Sequence, residues 1–242
     1  MCIRDSYYFH GIQSLVVGVS GGIDSAVVST LCAKTGLPTY VVRMPLESSH
    51  QNTRLSDLHA QQLVEKYDNV TNVQIELSSV YDSLLHSINW WSEAQQFDKK
   101  EFTSDELANA NTKSRIRMVT LYQIAGAKKG IVVGTGNKVE DYGIGFYTKY
   151  GDGGVDIAPI ADLYKTEVRE LGGYLGVINE ILDAKPTDGL WDDGRTDEDQ
   201  LGASYVDLEE AMEKGTGPAV GVLERYNKMN QHKMNPIPTF EL

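Results

Sequence analysis

Residues 18–25 read Gly18-Val19-Ser20-Gly21-Gly22-Ile23-Asp24-Ser25, a glycine-rich turn between two largely apolar runs. Glycines allow the backbone to turn with φ > 0 and to approach a ligand closely. A helix starting inside such a turn adds free N–H groups and a positive dipole end, so the stretch can cradle an anion. The lysine of the common phosphate loop, GxxxxGK[ST], is missing, and no GxGxxG is present. Asp24 would repel a phosphate unless a metal bridged the two, which points to Mg²⁺. The plainer reading of the same residues is a strand-to-helix turn with Asp24 or Ser25 as the helix N-cap.

The elements that must position this turn follow from hydrophobic patterning. Residues 15–19 form a short β-branched run ended by glycine, a buried strand, and 24–34 read as a helix stopped by Gly36 and Pro38. Further strands are expected at 39–43, 73–77 and 131–135, with helices over 54–67, through Leu84, Leu85 and Ile88, and from the Thr103-x-x-Glu106 capping box to about 127. On the last of these helices Leu107, Ala110, Ser114, Met118, Leu121 and Ala125 recur on one face. Strands alternating with helices mean a parallel sheet with helices on both faces, and ligands then gather at the carboxyl ends of the strands. The loops 18–25, 43–53 and 134–141 all leave such ends. Beyond 142 the chain becomes glycine-rich and aromatic, a helix is expected over 162–175, and 184–202 is a long, acidic, turn-forming segment of the kind that is either functional or disordered.

Composition narrows the function classes. The 242 residues suit one α/β domain, with 34 acidic against 22 basic residues and a net charge of −12. That sign opposes a surface tracking nucleic acid or an anionic membrane. Two cysteines, Cys2 and Cys32, form neither a disulfide framework nor a metal spacing, and Cys32 reads as a small core residue. No apolar stretch has the length of a membrane span and "MCIRDS" lacks the apolar region of a secretory signal, so the expected compartment is the cytoplasm.

"SGGIDS" resembles the PP-loop of the N-type ATP pyrophosphatases, which cleave ATP between its α- and β-phosphates. The loop alone does not choose among NAD synthetases, GMP, asparagine and argininosuccinate synthetases and tRNA-thiolating enzymes. Three later segments do: "LANANTKSRIRM", "GTGNKVEDYGIGFYTKYGDGGVDIAPIADLYKTEV" and "KPTDGLWDDGRTDEDQLG", which together resemble NAD synthetase. The resemblance implies a Rossmann-like three-layer α/β/α fold with a parallel sheet, of the adenine nucleotide α-hydrolase-like kind. It also implies a single NAD synthetase domain over 1–242 with no attached glutaminase domain, and a truncated or non-native amino terminus at 1–6. The implied reaction is adenylation of the nicotinate carboxylate of deamido-NAD by ATP, followed by attack of ammonia, giving NAD, AMP and pyrophosphate.

By the same resemblance, Gly18, Val19, Ser20, Gly21, Gly22, Ile23, Asp24 and Ser25 cradle the ATP phosphates, with Thr135, Lys165 and Thr187 as further ATP contacts. Asp24 and Glu140 resemble the Mg²⁺ ligands, and Asp24 and Lys165 carry the catalytic roles, Lys165 supplying the cation that the loop lacks. Arg115, Lys149, Asp156, His232 and Lys233 match the deamido-NAD contacts, whereas Arg117 is expected in a surface ion pair. Arg43 and Gln51 are candidates for the adenine or ribose, and Trp90–Trp91 suit an exposed or dimer-facing patch of the homodimer that the family implies. A tRNA thiolase is opposed by the cysteine count and the charge. A non-catalytic ATP-binding module is opposed by the joint presence of Asp24, Glu140, Lys165 and Arg115.

Overall fold

Alternation along the strands decides the architecture. Strands β1 (Ser14–Gly18), β2 (Thr39–Arg43), β3 (Val70–Gln74) and β4 (Gly130–Val133) pair in parallel in the order β3-β2-β1-β4, with Val17 opposite both Val41 and Val133. Leu15, Val17, Val41 and Val133 enter one apolar layer and Val16, Val42 and Val132 the other, all essentially inaccessible to water. Both faces are therefore covered, and each such side chain contributes roughly 1.5–3 kcal/mol of burial. The computed structural model describes residues 11–47, 50–95, 97–98, 102–184 and 196–240.

The first layer is closed by α1 (Ile23–Lys34) and α2 (His50–Lys66), then by α5 (Lys165–Leu175) and the short α6 (Asn179–Leu182). The second is closed by α4 (Glu106–Ala127) through Leu121 and Ala125, and α3 (Ser78–Ala94) packs beside α4 through Tyr81 and Ile116. The result is the expected three-layer α/β/α arrangement, with Cys32 buried in its core. A smaller apolar cluster joins a π-helical turn, Lys138–Ile144, to α7 (Asp197–Leu201), α8 (Tyr205–Lys214) and α9 (Val220–Met234). Among the described residues no helix is long and apolar enough to cross a membrane.

Several boundaries differ from the sequence reading. The third strand lies at Val70–Gln74 rather than 73–77, because its register is set by β2, with Thr39 opposite Val70. Ile75 and Leu77 still donate to the carbonyls of Arg43 and Pro45, so the pairing trails off along the loop after β2. Helix α4 is capped by Asp105, which accepts from Ala108 N at 2.7 Å, whereas Thr103 turns away to Asn89. Its packed face holds Ala110, Ser114 and Ala125, but Leu107 is 61% exposed.

Sheet order is what positions the site. β1 leads to β2 on one side and borders β4 on the other, so strand order reverses between β1 and β4. The loops leaving these two strands flank the crevice where α/β sheets hold ligands.

Candidate active site

The loop after β1 is held open by its own hydroxyls. Ser25 Oγ donates to the Gly22 carbonyl at 3.0 Å and accepts from Ser20 N at 3.2 Å, while Gly22 N donates to Ser20 Oγ. Gly22, not Asp24 or Ser25, is the N-cap of α1, and no side chain caps that end. The helix amino terminus is thus left for an external acceptor, as an anion nest requires. Gly21 has φ +94°, and a Cβ there would lie 2.6 Å from the Asn52 carbonyl, so no other residue fits this turn against α2.

Asp24 points across the crevice. Its Oδ2 accepts from Lys165 Nζ at 2.5 Å and its Oδ1 from Asn137 Nδ2 at 3.2 Å. Lys165 also donates to Glu140 Oε1 at 2.8 Å, and Tyr205 OH donates to the same oxygen at 2.5 Å. Three separate elements therefore deliver one cluster: Asp24 from α1, Glu140 from the turn after β4, and Lys165 from the first turn of α5. Asn137 organises the middle of it, accepting from Val139 N and Glu140 N at 3.1 Å each and so capping the π-helical turn.

Electrostatics explain why a buried lysine is tolerated. Burial alone pushes the Lys165 ammonium down, but Asp24 and Glu140 override it and hold the group up, protonated at neutral pH. Burial raises Asp24, opposed by Lys165, and it opposes the same lysine at Glu140, where the lysine prevails and the net direction is down. Burial, with Asp152, Glu140 and Asp24 adding like charge, pushes Asp141 up to about 8. The Asp141 carboxylate lies against Gly136, where a Cβ would collide with it.

The cluster suits a divalent cation completed by a ligand. Asp24 and Glu140 keep 16% of their side-chain surface exposed and Lys165 only 4%, so the carboxylates face the crevice and the ammonium sits behind them. Two carboxylates against one ammonium leave a net negative charge. Among the described residues no group of three His, Cys, Asp or Glu side chains could enclose a metal. Two hard oxygen donors with the remainder supplied by phosphate is the usual arrangement for Mg²⁺.

A second group forms beside α4. Arg115 Nε donates to the Lys149 carbonyl at 3.3 Å, Lys149 Nζ to the His232 carbonyl at 2.6 Å, and Lys233 Nζ to the carbonyls of Gly145 and Tyr147 at 2.9 and 2.8 Å. The turn carrying Lys149 is stapled to α4 by Thr148 Oγ1 on Asn111 and by Asp152, which accepts from Ser114 Oγ and Thr148 N. Arg115, Lys149, His232 and Lys233 are thereby brought together. Asp156 makes none of these contacts: its carboxylate accepts from Val132 N and Tyr122 OH, where residues 156 and 157 pair with the outer edge of β4. Thr135 lies two residues past the end of β4, half-buried, and Thr187 lies outside the described residues. Arg43 is engaged with Asp57 at 3.0 Å and Asn72 at 3.1 Å, and Gln51 is exposed on α2.

Arg117, expected in a surface ion pair, also reaches back into the fold. Its guanidinium is half-buried and donates to the carbonyls of Met44 and Leu46 at 3.3 Å each, pinning the loop after β2. Asn137 and Tyr205 went unassigned in the sequence. Asn137 was detectable as an Asn three residues before Glu140, a helix-capping spacing, whereas nothing local marks Tyr205.

The family model described as NAD synthase matches residues 2–237. The NH(3)-dependent NAD(+) synthetase of Alkaliphilus oremlandii is 36% identical over 98% of this chain and 92% of its own. Among solved structures, an NMN synthetase from Francisella tularensis superposes with TM-score 0.84 at 35% identity, covering 98% of this chain and 93% of that one. An NH3-dependent NAD synthetase from Campylobacter jejuni, in complex with nitrate, gives TM-score 0.74 at 27% identity over 99% and 95%. The glycine nest, the two carboxylates on a buried lysine and these likenesses over nearly the whole length agree, and the chain belongs to the NAD synthase family.

Proposed function

We propose that this chain amidates deamido-NAD to NAD, consuming ATP and ammonia and releasing AMP and pyrophosphate, as a cytoplasmic enzyme. The observation that carries the reading is the Lys165 ammonium held between Asp24 and Glu140 at the mouth of a lysine-free glycine loop. In the first step a nicotinate carboxylate oxygen attacks the α-phosphorus of ATP and the bond to the bridging oxygen breaks, so that pyrophosphate leaves with that electron pair. The loop amides of residues 18–25 and the α1 dipole receive the departing charge, and Lys165 adds a fixed cation that needs no reorganisation. Asp24 and Glu140 would hold Mg²⁺, which supplies charge neutralisation on the phosphates when bound.

In the second step ammonia attacks the acyl carbon, AMP leaves, and the ammonium-like nitrogen loses a proton to give the amide. Arg115, Lys149 and Lys233 provide positive charge and donors for the dinucleotide acid beside α4, and orientation of the two reactants supplies much of the rate. A homodimer with the acid site near its interface is supported by exposed aromatic surface on α3: Trp90 is 67% exposed, and Trp91 stacks on Phe97 with ring centroids 5.8 Å apart.

One relative is named for the mononucleotide NMN, so the decisive assay varies the acid. Pyrophosphate release is measured with ATP, Mg²⁺ and ammonia, adding deamido-NAD, nicotinate mononucleotide or neither. Release that requires deamido-NAD is expected. Release unchanged without any acid sinks the reading, and a strong preference for the mononucleotide moves the substrate to the smaller acid.

A further inference from the structure

We infer that Tyr205 is a positioning residue, holding the metal-facing carboxylate Glu140 and the cation Lys165 in one fixed arrangement. The inference rests on Asp24 and Glu140 being the Mg²⁺ ligands. Tyr205 is buried in the satellite cluster, yet it reaches both groups: its hydroxyl donates to Glu140 Oε1 at 2.5 Å, and its ring centroid lies 5.0 Å from Lys165 Nζ. Glu140 Oε1 consequently accepts from the ammonium and the phenol together, and two donors on one oxygen fix the rotation of the carboxylate.

The helix that carries Tyr205 grips the opposite carrier as well. One turn along α8, Glu209 accepts from Thr166 N at 3.0 Å and Thr166 Oγ1 at 2.7 Å, on the residue directly after Lys165. Residues 205 and 209 share one helix face, so α8 sets the Glu140 turn and the start of α5 against each other. Carboxylates that bind metals are held by such outer contacts, and loss of one weakens metal binding by roughly 10–100-fold.

Tyr205→Phe keeps the ring beside Lys165 and deletes the hydroxyl that meets Glu140 Oε1 at 2.5 Å and, more weakly, Asp197 Oδ2 at 3.3 Å. Mn²⁺ binding to the full chain with ATP, without acid or ammonia, is followed by electron paramagnetic resonance. The variant is expected to bind about tenfold more weakly, to need correspondingly more Mg²⁺ for half-maximal pyrophosphate release, and to keep its KM for deamido-NAD. Ser204→Ala is the comparator, because it removes the α8 cap, where Ser204 Oγ accepts from Asp207 N at 3.1 Å, and spares the phenol. It is expected to lower the thermal midpoint and leave Mn²⁺ affinity unchanged. Wild-type affinity in Tyr205→Phe, or an equal loss in Ser204→Ala, overturns the role of Tyr205 alone. Absence of Mn²⁺ binding by the wild-type chain with ATP removes the metal reading and this inference together.

Discussion

His59 lies on α2 with no accessible surface, and its Nε2 meets Ser29 Oγ at 2.9 Å while Nδ1 has no hydrogen-bond partner among the described residues. Ser29 in turn donates to the Ser25 carbonyl at 2.7 Å, so the imidazole backs the helix start that supports the glycine loop. Burial lowers its pKa from 6.5 to about 4. The unfolded chain therefore binds a proton between these values that the folded chain refuses. The stabilising contribution is full above pH 6.5, falls progressively as pH drops below 6.5, and is fully lost once pH has passed about 4. The whole displacement corresponds to roughly 3 kcal/mol, of which about 2 kcal/mol is gone by pH 5. His59→Leu removes the titration and the orphaned Nδ1, and Ser29 keeps its backbone acceptors Ser25 and Ala26. Urea denaturation of both proteins at pH 7.5 and pH 5 is the assay. The wild type should lose about 2 kcal/mol more than His59→Leu between the two, since other titrating groups are common to both. Equal losses would refute the argument.

Asp24→Ala should lower pyrophosphate release by at least about 10²-fold, the scale for losing a preorganised charge contact, with circular dichroism unchanged; near-normal turnover would remove Asp24 from the site. Arg115→Ala should raise KM for deamido-NAD about tenfold, the worth of one charged hydrogen bond, and a selective loss of ATP affinity would contradict its assignment. Gly21→Ala forces a side chain onto a backbone at φ +94° and into the Asn52 carbonyl. About 2 kcal/mol of destabilisation is expected, together with weaker ATP binding by calorimetry, and an unchanged denaturation midpoint would show that the loop can relax.

Much of the fold was legible because its signals are local. Short β-branched runs read at 15–19, 39–43 and 131–135 fall within a residue or two of β1, β2 and β4, because apolar runs ended by turn residues mark buried strands locally. The start of α4 was misplaced because Thr103 and Asp105 are both competent caps, and the choice between them is made by Asn89, on another helix. The contacts of Arg117 with the carbonyls of Met44 and Leu46 were illegible for a similar reason: they depend on the loop after β2 lying against α4, which spacing along its own helix cannot reveal.

The sequence by itself determined the glycine nest, the order of strands and helices, and the family, since these depend on residue types at short range and on motifs met in succession. Tertiary structure alone decided that Lys165 stands between Asp24 and Glu140, and that Tyr205 stands behind them. Lys165 and Asp24 are 141 residues apart in the chain. They meet because the sheet reverses between β1 and β4 and α5 returns to α1, and only that docking makes two carboxylates a tolerable home for a buried ammonium.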